Sequence, residues 1–445
     1  MIITKTPFRM SFFGGGTDME DFFREHGGAV ISTTFDKYCY VNVRHLPRFF
    51  AYSTELVYSK MERVTRLEDI EHPMLRNAMR MLDMHELRLS YEADLPARSG
   101  LGTSSSFAVG TLNAFYALKG KYADKQKLAT EAIYLERTLC GEAGGWQDQI
   151  AAAYGGLNRI NFNAEGFEVL PVIISPERKQ LLNRNLLLYF TGFTRFSAEI
   201  QQANRLPSAD KQARLKQMLV LVDEAERVLT DKYSDLDDFG RLLDESWRLK
   251  RRTGSKVSTT QIDALYEEGL RAGALGGKLL GAGGGGFLLF YVQEERRQAV
   301  KAALKDLLRV PFAFEDGGTR VIHYTPENDE PQQRQRERAH AIHKVFERNI
   351  VPYPVRPAKG QNGAHQPIPA AKRAIHFQAA LDARPPVLGE HGLFLRIYQA
   401  SQAQNDEHKI QPEIRPEQFA QPGAAEPAGD GAHAPGFAHC GFLNT

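Results

Sequence analysis

Alternating apolar and polar positions predict a half-buried strand from Leu87 to Leu95. Pro96 follows, and because proline has no N–H to donate, the strand should end there. The run from Phe107 to Leu118 is too long and too rich in Ala and Leu for a strand, so it predicts a helix. Ser104 to Ser106 stand directly before this run, at positions typical of helix N-caps. The pattern thus predicts a strand and a helix joined by a short loop.

Three other segments also carry a clear hydrophobic pattern. Ile2 to Thr6 alternates briefly, Asp210 to Lys232 has apolar residues in helical register, and Phe287 to Val292 is continuously apolar. They predict a short strand, an amphipathic helix with ordinary surface charges, and a buried strand. We expect the α+β class with two domains, the site lying between them.

The loop PARSGLGTSSS, Pro96 to Ser106, has the composition of a phosphate-binding loop. Unpaired amides and the positive dipole end at a helix N-terminus attract anions, and Gly100 and Gly102 let the backbone approach closely. No lysine lies between Glu86 and Leu118, which excludes GxxxxGK[ST], and GxGxxG lacks its third glycine. The loop suits a nucleotide triphosphate, although alone it could be an ordinary turn.

Two further glycine runs lie far from this loop in the sequence. SFFGGGTD spans Ser11 to Asp18, and GKLLGAGGGGFLLFYV spans Gly277 to Val292. Consecutive glycines are costly to order, so a run indicates close backbone approach to a ligand or positive φ angles, with a plain hairpin turn as the alternative. Three glycine runs, each beside a predicted strand, indicate one site assembled from distant segments.

Two carboxylates follow the loop, at Glu136 and Asp148. Apolar residues from Ala129 to Leu139 recur at helical spacing and leave Glu136 beside the apolar stripe, which makes it a candidate metal ligand. Asp148 ends the turn GGWQD and could instead be a helix N-cap. A metal-bound phosphate site needs a hard oxygen ligand for magnesium and a group that orients the acceptor hydroxyl. Two carboxylates near a phosphate loop favour that chemistry.

The net charge of +2, with acids and bases nearly balanced, predicts no nucleic-acid partner. One short basic cluster is typical of a solvated helix face, with binding of an anionic substrate as the alternative. It consists of Arg248, Lys250, Arg251 and Arg252.

Cysteine usage and hydropathy predict a soluble cytoplasmic protein. Cys39, Cys140 and Cys440 are few and odd in number, which argues against a disulfide framework and for a reducing compartment. We expect no membrane association, since the first residues do not form a leader pattern and no apolar stretch approaches the ~18 residues of a span.

Composition changes after Thr325. From Pro326 to Thr445 the chain holds 14 of its 22 prolines and 8 of its 13 histidines. A segment of this composition cannot build a large hydrophobic core. We predict that residues 327–445 are mostly disordered, with a polar helix as one alternative for Pro331 to Arg348. The histidines show no recurring ligand spacing, so no metal site is predicted there.

Three motifs in this order, PFRMSFFGGGTD, PARSGLGTSSS and LLGAGGGGF, resemble those of the GHMP kinase superfamily, which includes galactokinase, homoserine kinase, mevalonate kinase and phosphomevalonate kinase. The resemblance covers roughly Met1 to Pro326. The segments GGGTD, GGWQDQIAAAYGG and TGFTRFSAEI are most similar to sugar kinases related to D-glycero-α-D-manno-heptose 7-phosphate kinase. It implies the two-domain GHMP kinase fold, with a ribosomal-protein-S5-like N-terminal domain at 1–170 and a ferredoxin-like C-terminal domain at 171–326.

For ATP and magnesium, the resemblance implies a nucleotide loop made of Gly100, Leu101, Gly102, Thr103, Ser104 and Ser105. Ser104 and Glu136 match the magnesium ligands. Thr103 stands where the family usually has serine but keeps a hydroxyl. Asp148 matches the aspartate facing the acceptor hydroxyl, and Arg9 matches the basic residue near the transferring phosphoryl.

For the sugar or sugar phosphate, the resemblance implies contacts from two glycine runs and one arginine. Asp18 matches the aspartate that binds sugar hydroxyls, within a substrate-binding group formed with Gly15, Gly16 and Thr17. Gly283, Gly284 and Gly285 fall in the motif that packs against the phosphate loop and the substrate. Arg195 is the candidate for the sugar phosphate.

The activity implied is direct transfer of the ATP γ-phosphoryl to a sugar hydroxyl, the anomeric hydroxyl of the heptose 7-phosphate in the branch most resembled. The alternatives are a fucokinase or another sugar kinase, a catalytically idle sensor of sugar and ATP, and an ATP-consuming decarboxylase. A homodimer is compatible with this resemblance.

Overall fold

A computed structural model of the protein describes residues 1–325 apart from 48, 98, 193–208 and 255–256. The described residues all fall within one compact unit, Met1–Pro352. Helices and strands are mixed along the chain, which confirms the α+β class. Arg195, Cys440 and the predicted tail lie outside the described residues.

The larger sheet of the described chain has nine strands. They are β1 Ile2–Phe13, β2 Gly28–His45, β3 Thr54–Val57, β4 Met61–Val64, β5 Leu87–Ala93, β6 Asn158–Asn163, β7 Gly166–Pro171, β12 Phe314–Glu315 and β13 Arg320–Tyr324. The order is β13-β1-β2-β5-β3-β4, with β6 and β12 also paired to β2 and β7 paired to β6. Neighbours are antiparallel except β3 and β5. The first sheet is therefore completed by strands from the end of the described chain.

A second, antiparallel sheet of four strands lies in the second half of the described residues. Its strands are β8 Leu186–Phe190, β9 Gly276–Leu279, β10 Phe287–Tyr291 and β11 Leu308–Val310, in the order β11-β8-β10-β9. Each residue of β10 is buried, because this apolar strand is central. The predicted buried strand is confirmed.

Ten α-helices occur in the described residues, together with short 3-10 turns and one π-helical turn. The helices are α1 Glu20–His26, α2 Pro73–Met81, α3 Thr103–Leu118, α4 Lys125–Ile133, α5 Gln147–Tyr154, α6 Pro176–Asn185, α7 Ala209–Thr230, α8 Asp237–Arg251, α9 Thr260–Arg271 and α10 Arg297–Ala303. The π-helical turn is Tyr134–Leu139. The amphipathic helix predicted from Asp210 to Lys232 is confirmed as α7, with Leu215, Val222 and Leu229 buried.

The two largest of the four hydrophobic clusters in the described residues hold most of these elements together. One packs α3, which is apolar on nearly all sides, against β2 and β5. The other joins the end of β1 to α7, α8 and β10. Within it, Phe12 and Phe13 contact the ring of Phe239 edge-on, at centroid distances of 5.3 and 5.1 Å. This packing sets the glycine turn after β1 beside α8.

Three boundaries differ from expectation, at the end of β5, at the start of α3 and at the end of β1. The strand β5 ends at Ala93, close to the predicted boundary at Pro96. The prediction that Ser104 to Ser106 are N-caps is wrong, since α3 begins at Thr103 and its N-cap is Gly102, with φ 72° and no side-chain cap. The serines lie inside the first turn. β1 continues to Phe13 rather than ending near Thr6.

Two expectations about the rest of the chain can be compared with the described residues. Cys39 and Cys140 carry free thiols. Across the described part of the chain, none of the helices has the length and apolar content needed to cross a lipid bilayer.

Candidate active site

A cavity of about 230 Å³ lies where the three glycine runs meet. Gly15, Gly100 and Gly281, one from each run, are on its wall. The expectation that these distant segments assemble at one place is therefore met. Side chains from α5, α7 and α8 complete the wall.

The phosphate-loop candidate enters α3 through two left-handed glycines, Gly100 with φ 79° and Gly102 with φ 72°. A Cβ on Gly100 would lie 2.5 Å from the carbonyl oxygen of Leu280, so only glycine allows the third run to approach this closely. The N-terminal residues Thr103, Ser104 and Ser105 of α3 line the cavity. The N–H groups and positive dipole end of this 16-residue helix suit a phosphate group.

Arg9 and Asp148 form a bidentate ion pair at the cavity wall. Arg9 Nε donates to Asp148 Oδ1 at 2.8 Å and Nη2 donates to Oδ2 at 2.9 Å. Arg9 Nη1 donates to the carbonyl oxygen of Gly100 at 2.7 Å, and its main-chain N–H donates to Leu101 O at 3.1 Å. Arg9 is 4% exposed and the Asp148 side chain 25%. The pair therefore fixes Asp148 beside the loop while leaving the carboxylate open to the cavity.

Asp148 lies in the first turn of α5, whose N-cap is Trp146. The alternative that Asp148 is itself a helix N-cap is therefore wrong. Its position two residues into the helix directs the carboxylate to Arg9 instead of to the helix backbone.

Glu136 is buried in the π-helical turn after α4. Its carboxylate accepts hydrogen bonds from Ser104 Oγ at 3.0 Å and Ser105 Oγ at 2.7 Å, and from the Gln149 amide. One extra residue in this turn, marked by Cys140 N–H bonding to Leu135 O, is the kind of irregularity found at functional sites. The expected burial of Glu136 beside the apolar stripe is met.

This donor set fits magnesium. Mg²⁺ in nucleotide sites is held by one or two carboxylates, with hydroxyls and phosphate oxygens completing its shell. Glu136 and Ser104 supply a carboxylate and a hydroxyl at the helix N-terminus that suits phosphate. The described residues contain no cluster of three or more His, Cys, Asp or Glu side chains able to bind a metal alone. The arrangement is thus suited to a metal that arrives with a nucleotide.

The first glycine run presents Asp18 to the cavity. Asp18 is 3% exposed, and its Oδ1 accepts from Gly16 N–H at 2.8 Å. Burial raises the pKa of this carboxyl above its usual value, and the nearby Asp148 charge raises it further. Gly15 and Gly16 are also on the wall, whereas Thr17 is buried with its hydroxyl within hydrogen-bond distance of Gly14 O and Ala29 O.

The third run contacts the cavity through Gly281 and Ala282. Gly283 and Gly284 lie against Val257 instead, with Gly284 N–H donating to Val257 O at 3.0 Å. Leu101 is fully buried behind the loop. The roles expected for Gly283, Gly284, Gly285 and Leu101 stay predictions.

Three lysines line the cavity, Lys211, Lys250 and Lys278, and for Lys250 the sequence left binding of an anionic substrate as the alternative to a solvated face. Lys250 was expected on a solvated helix face, and that expectation is wrong, because its Nζ donates to Gly281 O at 2.6 Å inside the cavity. Arg248, two residues earlier, is exposed as expected. A signal was present in the sequence, since Lys250 follows the buried Leu243 and Trp247 at helical spacing.

Burial lowers the pKa of both Lys250 and Lys278. It lowers the pKa of Lys250 to about 8, and the neighbouring Arg9 charge contributes to that shift. Lys278 on β9 is 1% exposed and donates to Phe12 O at 2.7 Å. Burial, with Lys250 and Arg9 nearby, holds the pKa of Lys278 well below its usual value.

Comparison with known proteins gives a consistent result. Residues 70–156 match the family model described as GHMP kinases N terminal domain, and residues 221–310 match GHMP kinases C terminal. The chain is 29% identical over 299 residues to D-glycero-α-D-manno-heptose 7-phosphate kinase of Campylobacter jejuni, covering 63% of this chain and 86% of that protein. It is 32% identical over 204 residues to L-fucokinase/L-fucose-1-P guanylyltransferase of Bacteroides fragilis, covering 43% of this chain and 20% of that protein.

A solved structure shares the fold. It is a D-glycero-D-manno-heptose 1-phosphate kinase from Bacteroides thetaiotaomicron, with a TM-score of 0.59 and 24% sequence identity. The match covers 73% of this chain and 100% of that chain.

Proposed function

We propose that the chain, which matches the N- and C-terminal family models of the GHMP kinases, transfers the γ-phosphoryl of ATP to the anomeric hydroxyl of D-glycero-α-D-manno-heptose 7-phosphate. One observation carries the proposal. The Arg9–Asp148 pair and the Glu136–Ser104 contact meet the N-terminus of α3 at a single cavity.

The loop side of the cavity would bind ATP. N–H groups at the start of α3 suit the phosphates, and the close contact between Gly100 and the third glycine run holds the loop in place. Ser104 and Glu136 would hold Mg²⁺, which when bound offsets negative charge on the phosphate oxygens.

The opposite side would bind the acceptor. Asp18, with its raised pKa, can hydrogen-bond sugar hydroxyls, and Gly15 and Gly16 leave room beside it. Asp148 stands between the two sides and would orient the acceptor hydroxyl and accept its proton. Phosphoryl transfer depends chiefly on positioning and charge stabilisation, and the ion pair with Arg9 supplies that positioning.

Heptose 7-phosphate is the preferred acceptor because the Campylobacter relative aligns over most of its own length. The fucokinase match supports L-fucose as a second candidate, although it covers a fifth of a bifunctional protein. Transfer to either acceptor would require the same ATP-binding side of the cavity. The choice between heptose 7-phosphate and fucose therefore depends on the residues of the acceptor side alone.

An acceptor panel tests the proposal. The purified full chain is incubated with ATP and Mg²⁺ and with heptose 7-phosphate, unphosphorylated heptose, L-fucose or D-galactose, and ADP release is followed. We expect the highest kcat/KM with heptose 7-phosphate. A higher kcat/KM with fucose would replace the acceptor, and ADP release that no sugar stimulates would contradict the kinase assignment.

A further inference from the structure

Lys250 lies at a central position in the cavity, and the roles proposed for Arg9, Asp148 and Glu136 do not involve it. It projects from the last turn of α8 and donates one hydrogen bond to Gly281 O at 2.6 Å. Gly281 packs on Gly100, because a Cβ on Gly281 would lie 2.4 Å from Gly100 Cα. On its other side, Lys250 Nζ lies 3.9 Å from the position that a Cβ on Gly15 would take. Its ammonium thus stands between the nucleotide loop and the acceptor-side turn.

Arg9 is largely committed to other partners. Its Nε and Nη2 donate to Asp148, and its Nη1 donates to Gly100 O. These bonds take N–H groups from all three nitrogens of the guanidinium. An ammonium carries three N–H donors, and the described contacts of Lys250 use one of them. Lys250 therefore has donors to offer at the centre of the cavity.

We propose that Lys250 is a further catalytic residue, which donates hydrogen bonds to the transferring γ-phosphoryl oxygens, while Arg9 acts mainly by positioning Asp148. The inference rests on the proposed phosphoryl transfer. The acceptor oxygen forms a bond to the γ-phosphorus, and the bond from that phosphorus to the bridging oxygen breaks with its electron pair left on ADP. The hydroxyl proton goes to Asp148, and Lys250 keeps its protons throughout.

The charges around Lys250 fit this role. Arg9 on β1 places positive charge beside Lys250, while Asp18 and Asp148 place negative charge there; Lys278 on β9 and Lys211 on α7 also line the cavity. An ammonium whose pKa is lowered to about 8 is mostly protonated at neutral pH. A phosphoryl group placed beside it would favour the charged form further, because opposite charges stabilise each other. Negative charge that develops during transfer would thus meet a cation already in place.

The variants Lys250→Met and Lys250→Arg test the proposal, with Arg248→Met as the control. Arg248 is on the same helix with its side chain 59% exposed, so its replacement removes one positive charge outside the cavity. For Lys250→Met we expect kcat to fall roughly a hundredfold with every accepted sugar, the range for removing one donor to a transition state. Lys250→Arg should keep part of the wild-type kcat, and Arg248→Met should have the full wild-type kcat. Thermal unfolding of each variant checks that it is folded.

Nucleotide binding provides a readout that needs no turnover. Lys250→Met should weaken binding of a non-hydrolysable ATP analogue about tenfold, the scale of one charged hydrogen bond. ADP lacks the γ-phosphoryl, so its affinity should stay at the wild-type value. Equal losses for the two nucleotides would overturn the proposal.

The pH profile gives a third readout. Wild-type kcat/KM should decline above about pH 8 as free Lys250 loses its proton. Lys250→Arg should remove that decline, because a guanidinium stays protonated. An unchanged decline would contradict the role.

Two outcomes separate this inference from the proposed function. If Lys250→Met raises KM only for phosphorylated sugars and leaves kcat intact, Lys250 binds an acceptor phosphate and the inference is wrong. If wild type phosphorylates another sugar and Lys250→Met still loses kcat, the proposed acceptor fails and the inference holds.

Discussion

At the scale of single residues, the orientation of the Asp148 carboxylate is set by its ion pair with Arg9. Both carboxylate oxygens accept from Arg9, which is itself nearly buried. The carboxylate is therefore held in one orientation beside the phosphate loop. That geometry suits a group that aligns a hydroxyl before transfer, since a fixed orientation lowers the entropy cost of reaction.

Asp148→Asn should lose turnover by roughly a hundredfold or more while ATP binding survives, a loss in the range of general-base catalysis. The amide preserves size but removes the proton acceptor and one charge of the ion pair. Steady-state kinetics and nucleotide titration measure the two effects separately. Asp223→Asn is the matched control, because Asp223 pairs with Arg159 outside the cavity and Glu226 remains as a second partner. Wild-type turnover in a folded Asp148→Asn protein would sink the assignment.

Sequence patterns identified most of these residues because their signals are local. Glu136 was expected beside an apolar stripe, and the structure buries it. Lys250 was assigned to a solvated face, with binding of an anionic substrate as the alternative, because four basic residues in five positions resemble such a face. Its spacing after Leu243 and Trp247 indicates the buried side of α8, but its contact with the third glycine run depends on the packing of α8 against β1 and β9.

At the scale of elements, the site depends on backbone contact between two loops. Gly100 and Gly281 meet where a Cβ on either would enter the other segment. The loop before α3 is thus held by the third glycine run as well as by its own turn. The glycine runs were predicted to approach a ligand, and part of their role is to approach each other.

Gly100→Ala should destabilise the fold and weaken ATP binding together. The left-handed φ alone costs roughly 1–2 kcal/mol for a residue with a Cβ. The contact with Leu280 O at 2.5 Å adds to that cost. Gly120→Ala is the control, because Gly120 has a similar φ of 66° and nothing within 4 Å of its added Cβ. Thermal unfolding and nucleotide titration should show a larger effect at Gly100, and equal effects would refute the role of the loop contact.

Element boundaries were harder to predict than element types. β5, α3 and β10 follow from alternation, from composition and from apolar runs. The extension of β1 to Phe13 was missed because that strand is stabilised by distant pairing with β2 across residues 28–45. A left-handed glycine N-cap for α3 was missed because serine is the commoner cap.

At the scale of the whole molecule, the last two strands of the described chain pair with its first two strands. β13 pairs with β1 from Ile2 to Lys5, and β12 pairs with β2 at Thr34 and Phe35. The Thr319 hydroxyl hydrogen-bonds that of Thr6 and its main-chain N–H donates to Ala152 O, so this segment also contacts α5, the helix that carries Asp148. Residues 311–325 therefore contribute to the sheet that carries Arg9. No local pattern in the sequence indicates this pairing.

Two truncations test the contribution of the C-terminal strands. Ending the chain after Thr325 should leave the unfolding midpoint and kcat unchanged, because the Pro-rich composition that follows predicts no core. Ending it after Val310 also removes β12 and β13, and the loss of the β1 pairing should cost on the order of 3 kcal/mol. Thermal unfolding measures both. A large loss from the shorter deletion would show that residues 326–445 stabilise the enzyme.

The central claim is transfer of a phosphoryl group to the anomeric hydroxyl of a heptose 7-phosphate, and phosphorus NMR of the reaction tests it most directly. The full chain, ATP, Mg²⁺ and the heptose 7-phosphate are mixed, and the new phosphorus signal is correlated with sugar protons. We predict a second phosphate coupled to the proton on the anomeric carbon, formed in step with ADP. A new phosphate on any other carbon, or ATP consumption without a phosphorylated sugar, would contradict the account.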